Sequence, residues 1–274
     1  MRPPAKLALA LALLALVFLA GCGVISKLRA RDELNKGVRA YKGAQFETSI
    51  EHFKRAIELD PDLLNARIYL AIAYASQFVP GSPSEENKEL ARKAIEEFER
   101  VLEKDPNNLV ALGYIASLYY GLGGGEKTLD GIRANFDKSK EFRRKLIEID
   151  AQNPEHYYSI GVLDWALCHR ANEETRVANR VARPDEPLPA RVRKELAEKN
   201  GPLVEEGIQM LEKAIEINPK YVDAIAYLNL IYRQRADIAE TQQEREHYLD
   251  LADQMFDRQK RIREEAQGAP AGAR

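Results

Sequence analysis

Only two cysteines, Cys22 and Cys168, one tryptophan, Trp165, and three methionines occur in 274 residues. So few cysteines exclude a disulfide-stapled scaffold. Glycine and proline, 16 and 13 residues, are too sparse for a collagen-like or low-complexity chain, and runs of Val, Ile and Thr that would mark strands are few. Charge of one sign is not in excess either. The 41 basic side chains face 43 acidic ones, a formal balance of −2, so no global field draws the chain to nucleic acid and no nucleic-acid partner is expected. What is abundant is apolar and charged residues together, 45% and 31%, in an Ala/Leu/Glu/Lys/Arg-rich mixture. That composition predicts one mostly helical body with a sizeable core.

The N-terminus has the plan of a secretory signal: Arg2 and Lys6, an apolar run of 14 residues from Leu7 to Ala20, then the small residues Ala20 and Gly21 before Cys22. The run is shorter than the roughly 20 residues a bilayer-spanning helix needs. Leu19-Ala20-Gly21-Cys22 resembles the bacterial lipobox. The resemblance implies a signal peptide over 1–21, cleavage before Cys22, acylation of the Cys22 thiol as a membrane anchor, and a short tether over 22–29. Gly23 is not the aspartate that retains many lipoproteins at the inner membrane. The implied location is therefore the bacterial envelope, at the outer membrane and facing the periplasm. Without residues 1–21 the chain keeps 39 basic and 43 acidic side chains, and Cys168 is left without a disulfide partner.

Four segments align in the remainder: Phe53 to Pro61, Phe98 to Pro106, Arg143 to Ala151 and Leu211 to Pro219. In each, apolar residues recur at three- and four-residue steps. The Asp-Pro or Asn-Pro that closes three of them ends the helix, because proline lacks an N–H and disfavours helix before it. A second amphipathic run starts after each stop, at Ala66, Ala111, Tyr157 and Ala224. Gly37, Ser49, Phe53, Ala56 and Pro61, then Ala71, Tyr74, Ala94, Phe98 and Pro106, fall on the small, aromatic and proline positions of a 34-residue helical hairpin. This pattern resembles the tetratricopeptide repeat (TPR). The third and fourth units depart from it: Phe142 sits one place early, Ala151 replaces the proline, and Gly207 and Leu211 stand for alanine and an aromatic.

The implied fold class is all-α, a TPR-like helical-hairpin solenoid of five pairs over 30–263, with a disordered tail over 264–274. The stops at 61, 106 and 151 are 45 apart and the next, at 219, is 68 further on, so residues are inserted around 76–86, 121–135 and 170–200. They fall between the two helices of a pair and are expected as loops. The interval of 68 is also twice 34, so a degenerate extra repeat between Asp164 and Asn200 stays open, although Arg183-Pro184-Asp185-Glu186-Pro187-Leu188-Pro189 breaks helices.

Chemistry is scarce. Gly121-Leu122-Gly123-Gly124-Gly125-Glu126-Lys127-Thr128 has a glutamate where a phosphate loop needs glycine before its Lys-Thr pair, and a helix precedes it. His52, His156, His169 and His247 show no ligand spacing, and Cys168 and His169 are adjacent on a helix, so no metal site is expected. No nucleophile elbow or acid pair occurs, so catalytic residues, cofactors and enzyme activity are not expected. Asp164, beside Trp165 in an apolar helix, needs a partner, with an arginine such as Arg170 the expected one.

The TPR resemblance also places Tyr41, Tyr69, Tyr114, Tyr120, Tyr158, Trp165, Tyr227 and Arg233 on a concave groove. Such residues suit a protein or peptide partner, because Tyr and Trp offer large contact area with a polar tip. Packing between neighbouring helices would equally account for any one of them. The carboxylate clamp of chaperone-binding members is absent, since Leu34, Ile68, Gly113, Tyr158 and Ala226 occupy its lysine position. The function these features imply is a membrane-anchored adaptor or assembly factor of the envelope. An accessory of a wall enzyme or transporter, or a small-ligand or glycan binder using Tyr158 and Trp165, stays open.

Overall fold

A computed structural model describes the backbone of residues 5–183 and 186–268 and the side chains of 23–183 and 186–266. Cys22, residues 1–4 and the end of the tail from 269 lie outside the side chains described. The elements are α1 (Ala5–Lys42), α2 (Phe46–Leu59), α3 (Leu64–Ala75), α4 (Glu85–Leu102), α5 (Leu109–Gly124), α6 (Leu129–Ile149), α7 (Pro154–Ala178), α8 (Ala190–Ile217), α9 (Val222–Asp237) and α10 (Gln242–Gly268). No strand occurs among the described residues. Instead of one body the chain clusters into two compact units, Met1–Leu118 and Tyr119–Arg274.

The helix stops work as their sequences demand. Asp60 and Asn218, each before a proline, are extended at φ −145° and −128°, and their N–H groups still close on Ala56 and Ala214. Ala151 has no proline ring, yet α6 ends at the same place. There the Asn153 side chain accepts the Glu155 N–H at 3.1 Å, and Pro154 opens α7.

In unit 1 the repeat residues meet as small against large. Ser49, Phe53, Ala56, Ala71, Ala94 and Phe98 are all fully buried. A Cβ on Gly37 would lie 2.5 Å from the Phe53 ring, so α1 and α2 can approach this closely only with glycine there. Unit 2 repeats the device with an aliphatic knob. Gly161 on α7 faces Leu211 on α8, and a Cβ at that glycine would also meet the leucine at 2.5 Å. Leucine thus does in the fourth pair what phenylalanine does in the first. In the third pair the buried Phe136 takes a place against Tyr120, with ring centroids 5.6 Å apart, while Phe142 stacks on Tyr119.

Four expectations change. The short tether expected over 22–29 is helical, part of α1, so at 1.5 Å per residue 23–29 cover roughly 10 Å. Residues 264–268, assigned to the tail, continue α10, because charged residues on this terminal helix leave nothing to stop it before Gly268. The insertions near 121–135 and 170–200 are mostly helix: α5 and α6 lengthen to leave a short turn, and α7 and α8 reach 25 and 28 residues with a connection over 179–189. The segment from Asp164 to Asn200 is therefore two long helices and not an extra hairpin. Only the segment after Ala75 is the expected loop; there Asn87, 7% exposed, accepts the Val79 N–H at 2.7 Å and donates to the carbonyls of Val79 and Ser82.

Candidate functional site

The eight groove candidates separate between the two units. In unit 1, Tyr69 stacks on Phe53 at 5.7 Å and Tyr114 on Phe98 at 5.1 Å, each ring covering the buried phenylalanine of the preceding helix. Tyr41 lies edge-on to Phe46 at 5.7 Å, and its hydroxyl pairs with Ser76 Oγ at 2.8 Å. These three rings seal joints between helices.

Unit 2 gathers the rest. Tyr158, Trp165 and His169 recur at helical steps along one face of α7, and Tyr227 on α9 comes up against them. Tyr158 and Tyr227 are 5.7 Å apart and near perpendicular, Trp165 and Tyr227 5.1 Å, and His169 stacks flat on Trp165 at 5.1 Å. Tyr221, at the start of α9, closes the cluster 5.0 Å from Tyr158, and its hydroxyl donates to Glu155. Sequence reasoning missed Tyr221 because it precedes the periodic run of α9, and set His169 aside because it was weighed only as a ligand. Tyr158, Trp165, Tyr221 and Tyr227 are half-buried, and His169 is exposed. Beside them a pocket of about 210 Å³ is lined by Tyr120, Ser139, Arg143, Glu155, Tyr158 and Tyr227, among others.

The electrostatics keep these phenols neutral. Burial, with Tyr227 and the carboxylates Asp223 and Glu155 nearby, pushes Tyr158 up to about 12. Tyr221 and Tyr227 are pushed up as well, burial again being the main cause, and for Tyr221 the bond to Glu155 adds to it. All three hydroxyls therefore remain donors over any physiological pH. Burial depresses the Arg143 guanidinium, opposed by Glu155.

Under this face lies a charged network. Lys140 of α6 donates to Asp164 of α7 at 2.6 Å and to Glu206 of α8 at 2.8 Å, and Arg144 also pairs with Glu206. The partner of Asp164 is thus a lysine from the preceding helix and not Arg170, which instead bonds Glu174 on its own helix at 2.7 Å. Burial raises the Asp164 carboxyl to about 7 against the pull of Lys140. Lys140, despite its burial, is held above its usual value by Asp164 and Glu206. Asp164 Oδ2 has no hydrogen-bond partner among the described residues. Three helices are clamped by one ammonium, a structural role, since the carboxyl is fully buried.

Cys168 is also buried. Its thiol, pushed up to about 12 by burial, points to the Asn200 carbonyl at 3.8 Å, while the adjacent His169 is exposed, so the two share no site. Arg233, the last candidate, lies toward the far end of α9, ion-paired to Asp253 of α10 at 2.8 Å. No group of three or more His, Cys, Asp or Glu suited to a metal occurs among the described residues.

No family model and no curated protein sequence matches the chain. Solved structures do. A crystal structure of MamA protein superposes with a TM-score of 0.53 at 15% identity over 90% of this chain and 98% of that one. MamA from Desulfovibrio magneticus RS-1, residues 41 to the end, gives 0.56 at 14% identity over 88% and 98%. At such identities the likeness carries the fold and nothing of ligand or partner. The chain thus has an all-helical, TPR-type fold, one shared along nearly its whole length with MamA.

Proposed function

We propose that the chain is an envelope lipoprotein, acylated at Cys22, that uses the aromatic face of unit 2 to hold a peptide or helix of a protein partner, as an adaptor or assembly factor. The observation that carries the adaptor reading is the cluster of Tyr158, Trp165, His169, Tyr221 and Tyr227, centroids 5.0 to 5.7 Å apart, beside a pocket of about 210 Å³. Rings held by one another lose little freedom on binding, and the Tyr158 and Tyr227 hydroxyls and the indole offer donors to a partner's backbone.

The anchor reading is supported by the lipobox and by the first residues after Cys22. On α1, Val24, Ile25 and Leu28 are 60%, 53% and 61% exposed, with Lys27 and Arg29 between and beside them. An apolar stripe with basic flanks suits a helix lying at a lipid surface. Among the described residues no helix is long and apolar enough to cross a membrane. The outer membrane and the periplasm remain part of the proposal, resting on Gly23 after the cysteine.

The test has two arms. Cys22→Ser should abolish acyl labelling and release the chain from membranes; unchanged labelling rejects the anchor. Co-purification from detergent-solubilised membranes, wild type against Tyr158→Ala with Trp165→Ala, should lose the recovered protein in the variant at unchanged helix content. Equal recovery rejects the aromatic face.

A further inference from the structure

Where α7, the segment after it, α9 and α10 meet, unit 2 holds a second and larger cleft of about 860 Å³. His169 lines it, so it adjoins the aromatic face through the ring stacked on Trp165. Its frame is built inside. Arg176, 8% exposed, bonds Asp237 at 3.1 Å and donates to the carbonyls of Arg183 and Glu186 at 3.1 and 3.0 Å, pinning the segment after α7. Asn172 occupies the other oxygen of Asp237 at 2.7 Å. With Arg176 and Asp237 offsetting each other, the remaining charged lining is Arg180, Arg233 and Arg245 against Glu173. Counted over the whole lining, four arginines stand against Glu173 and Asp237, so the wall is formally cationic, with Arg233 shared by Asp253 beside it. The apolar lining is Val177, 78% exposed, with Val181, Ala182 and Leu249.

Arg180 is in an unusual conformation for its side chain. It stands at φ 57°, just past the end of α7, with its own N–H on the Val177 carbonyl at 3.2 Å and the Val181 N–H on the Arg176 carbonyl at 3.0 Å. This is the left-handed helix stop at which glycine is favoured, because a Cβ is strained there. A strained position that keeps a guanidinium at the rim of a cationic cleft points to use of that charge.

We propose that this cleft takes an acidic peptide segment of the partner, a carboxylate held by Arg180, Arg233 and Arg245 and a neighbouring aliphatic side chain laid on Val177, Val181 and Leu249. The proposal rests on the protein-partner reading above and names the chemistry that partner must carry. Charge selects the acid, and the exposed valine beside it selects a peptide over a free anion.

The test uses the full chain in zwitterionic detergent and a fluorescein-labelled peptide of alternating Leu and Glu, followed by anisotropy. Its counterpart with Gln for Glu should bind at least about 10-fold more weakly, as expected when charge-assisted bonds are lost. Arg180→Gly should weaken the Glu peptide by about 5-fold or more while the melting temperature holds or rises, since glycine suits that backbone. Arg233→Gln should weaken it in the same direction. Equal binding of both peptides, no binding at all, or unchanged binding in both variants overturns the proposal. Displacement by phosphatidylglycerol vesicles as efficient as by unlabelled peptide also overturns it, marking a general anion surface. The two readings fail separately: if Tyr158→Ala with Trp165→Ala loses the partner while Arg180→Gly and Arg233→Gln keep it and Glu is not preferred, only the cleft falls, whereas equal recovery in the aromatic variant rejects the partner reading.

Discussion

Unit 1 keeps its interior almost free of charge, whereas unit 2 buries it. Of the nine polar or charged side chains buried among the described residues, Ser49 and Asn87 belong to unit 1; Ser139, Lys140, His156, Asp164, Asn172, Arg176 and Asn200 belong to unit 2. The first unit keeps to the repeat pattern, and glycine or alanine against phenylalanine fills its joints. The second departs from the pattern, and its longer helices are tied by ion pairs and side-chain amides. Tyr119 and Tyr120 still stack on phenylalanines there, but Tyr158, Trp165, Tyr221 and Tyr227 pack on one another along one face. Departure from the repeat thus goes with a change in what fills the interior, from small-against-aromatic joints to buried charge and side-chain amides.

The largest effect that would sharpen this contrast is in unit 1. Phe53→Ala or Phe98→Ala should cost about 3–5 kcal/mol, because each ring is fully buried and Gly37 cannot fill the void beside Phe53. Chemical denaturation monitored by circular dichroism measures it. A loss below about 1 kcal/mol would show that unit 1 does not depend on these joints.

In unit 2 the equivalent lesion is electrostatic. At pH 8, where Asp164 is ionised, Lys140→Met should cost about 3 kcal/mol by leaving the buried carboxylate unpaired, and the double change with Asp164→Leu should recover most of it. No recovery in the double variant would break the comparison, since apolar packing could then not replace the pair.

The same carboxyl gives a pH dependence. Its ordinary value of 3.8 is raised to about 7 by burial, so between these values the folded chain keeps a proton that the unfolded chain has lost. Stability linked to Asp164 is full below about pH 4 and falls as pH rises through 7, by up to roughly 1.4 kcal/mol per unit. Glu206, held below its usual value by Lys140 and Arg144 against its burial, acts with the opposite sign but only below about 4.5. From pH 5 to 7, then, denaturation midpoints of the wild type should decline more steeply than those of Asp164→Asn. Parallel curves would remove the buried carboxyl from the account.

The smallest effect returns to unit 1. Arg67 and Glu97 pair at 2.9 Å between α3 and α4, both less than a fifth exposed. Arg67→Met should cost only about 0.5–1 kcal/mol, since solvent still reaches the pair. A cost matching that of Lys140→Met would mean that the two units use charge alike.

Much of the fold was legible in the sequence. Apolar steps, Asp-Pro and Asn-Pro stops and small-aromatic pairs placed the helical hairpins, because helix periodicity and proline's effect on its neighbour act within a few residues. The insertions were less legible. A length excess of 11 residues between 106 and 151, or of 34 between 151 and 219, fits a loop as well as extra helical turns, and α5, α6, α7 and α8 took the turns. Of the site, Tyr158, Trp165 and Tyr227 were found as aromatics at groove positions, but so were Tyr41, Tyr69 and Tyr114, which the same rule could not separate from them.

What the sequence determined by itself is local: helix content, where helices stop, and the small residues that let pairs approach. Only the tertiary structure decided that Asp164 pairs with a lysine 24 residues before it, and that Tyr221 joins Tyr158 across 63 residues. It also decided that Arg180 stands at a cationic rim. Each of these depends on the rotation and length of helices packed against one another, and such geometry is a sum over many contacts that no short stretch of sequence contains.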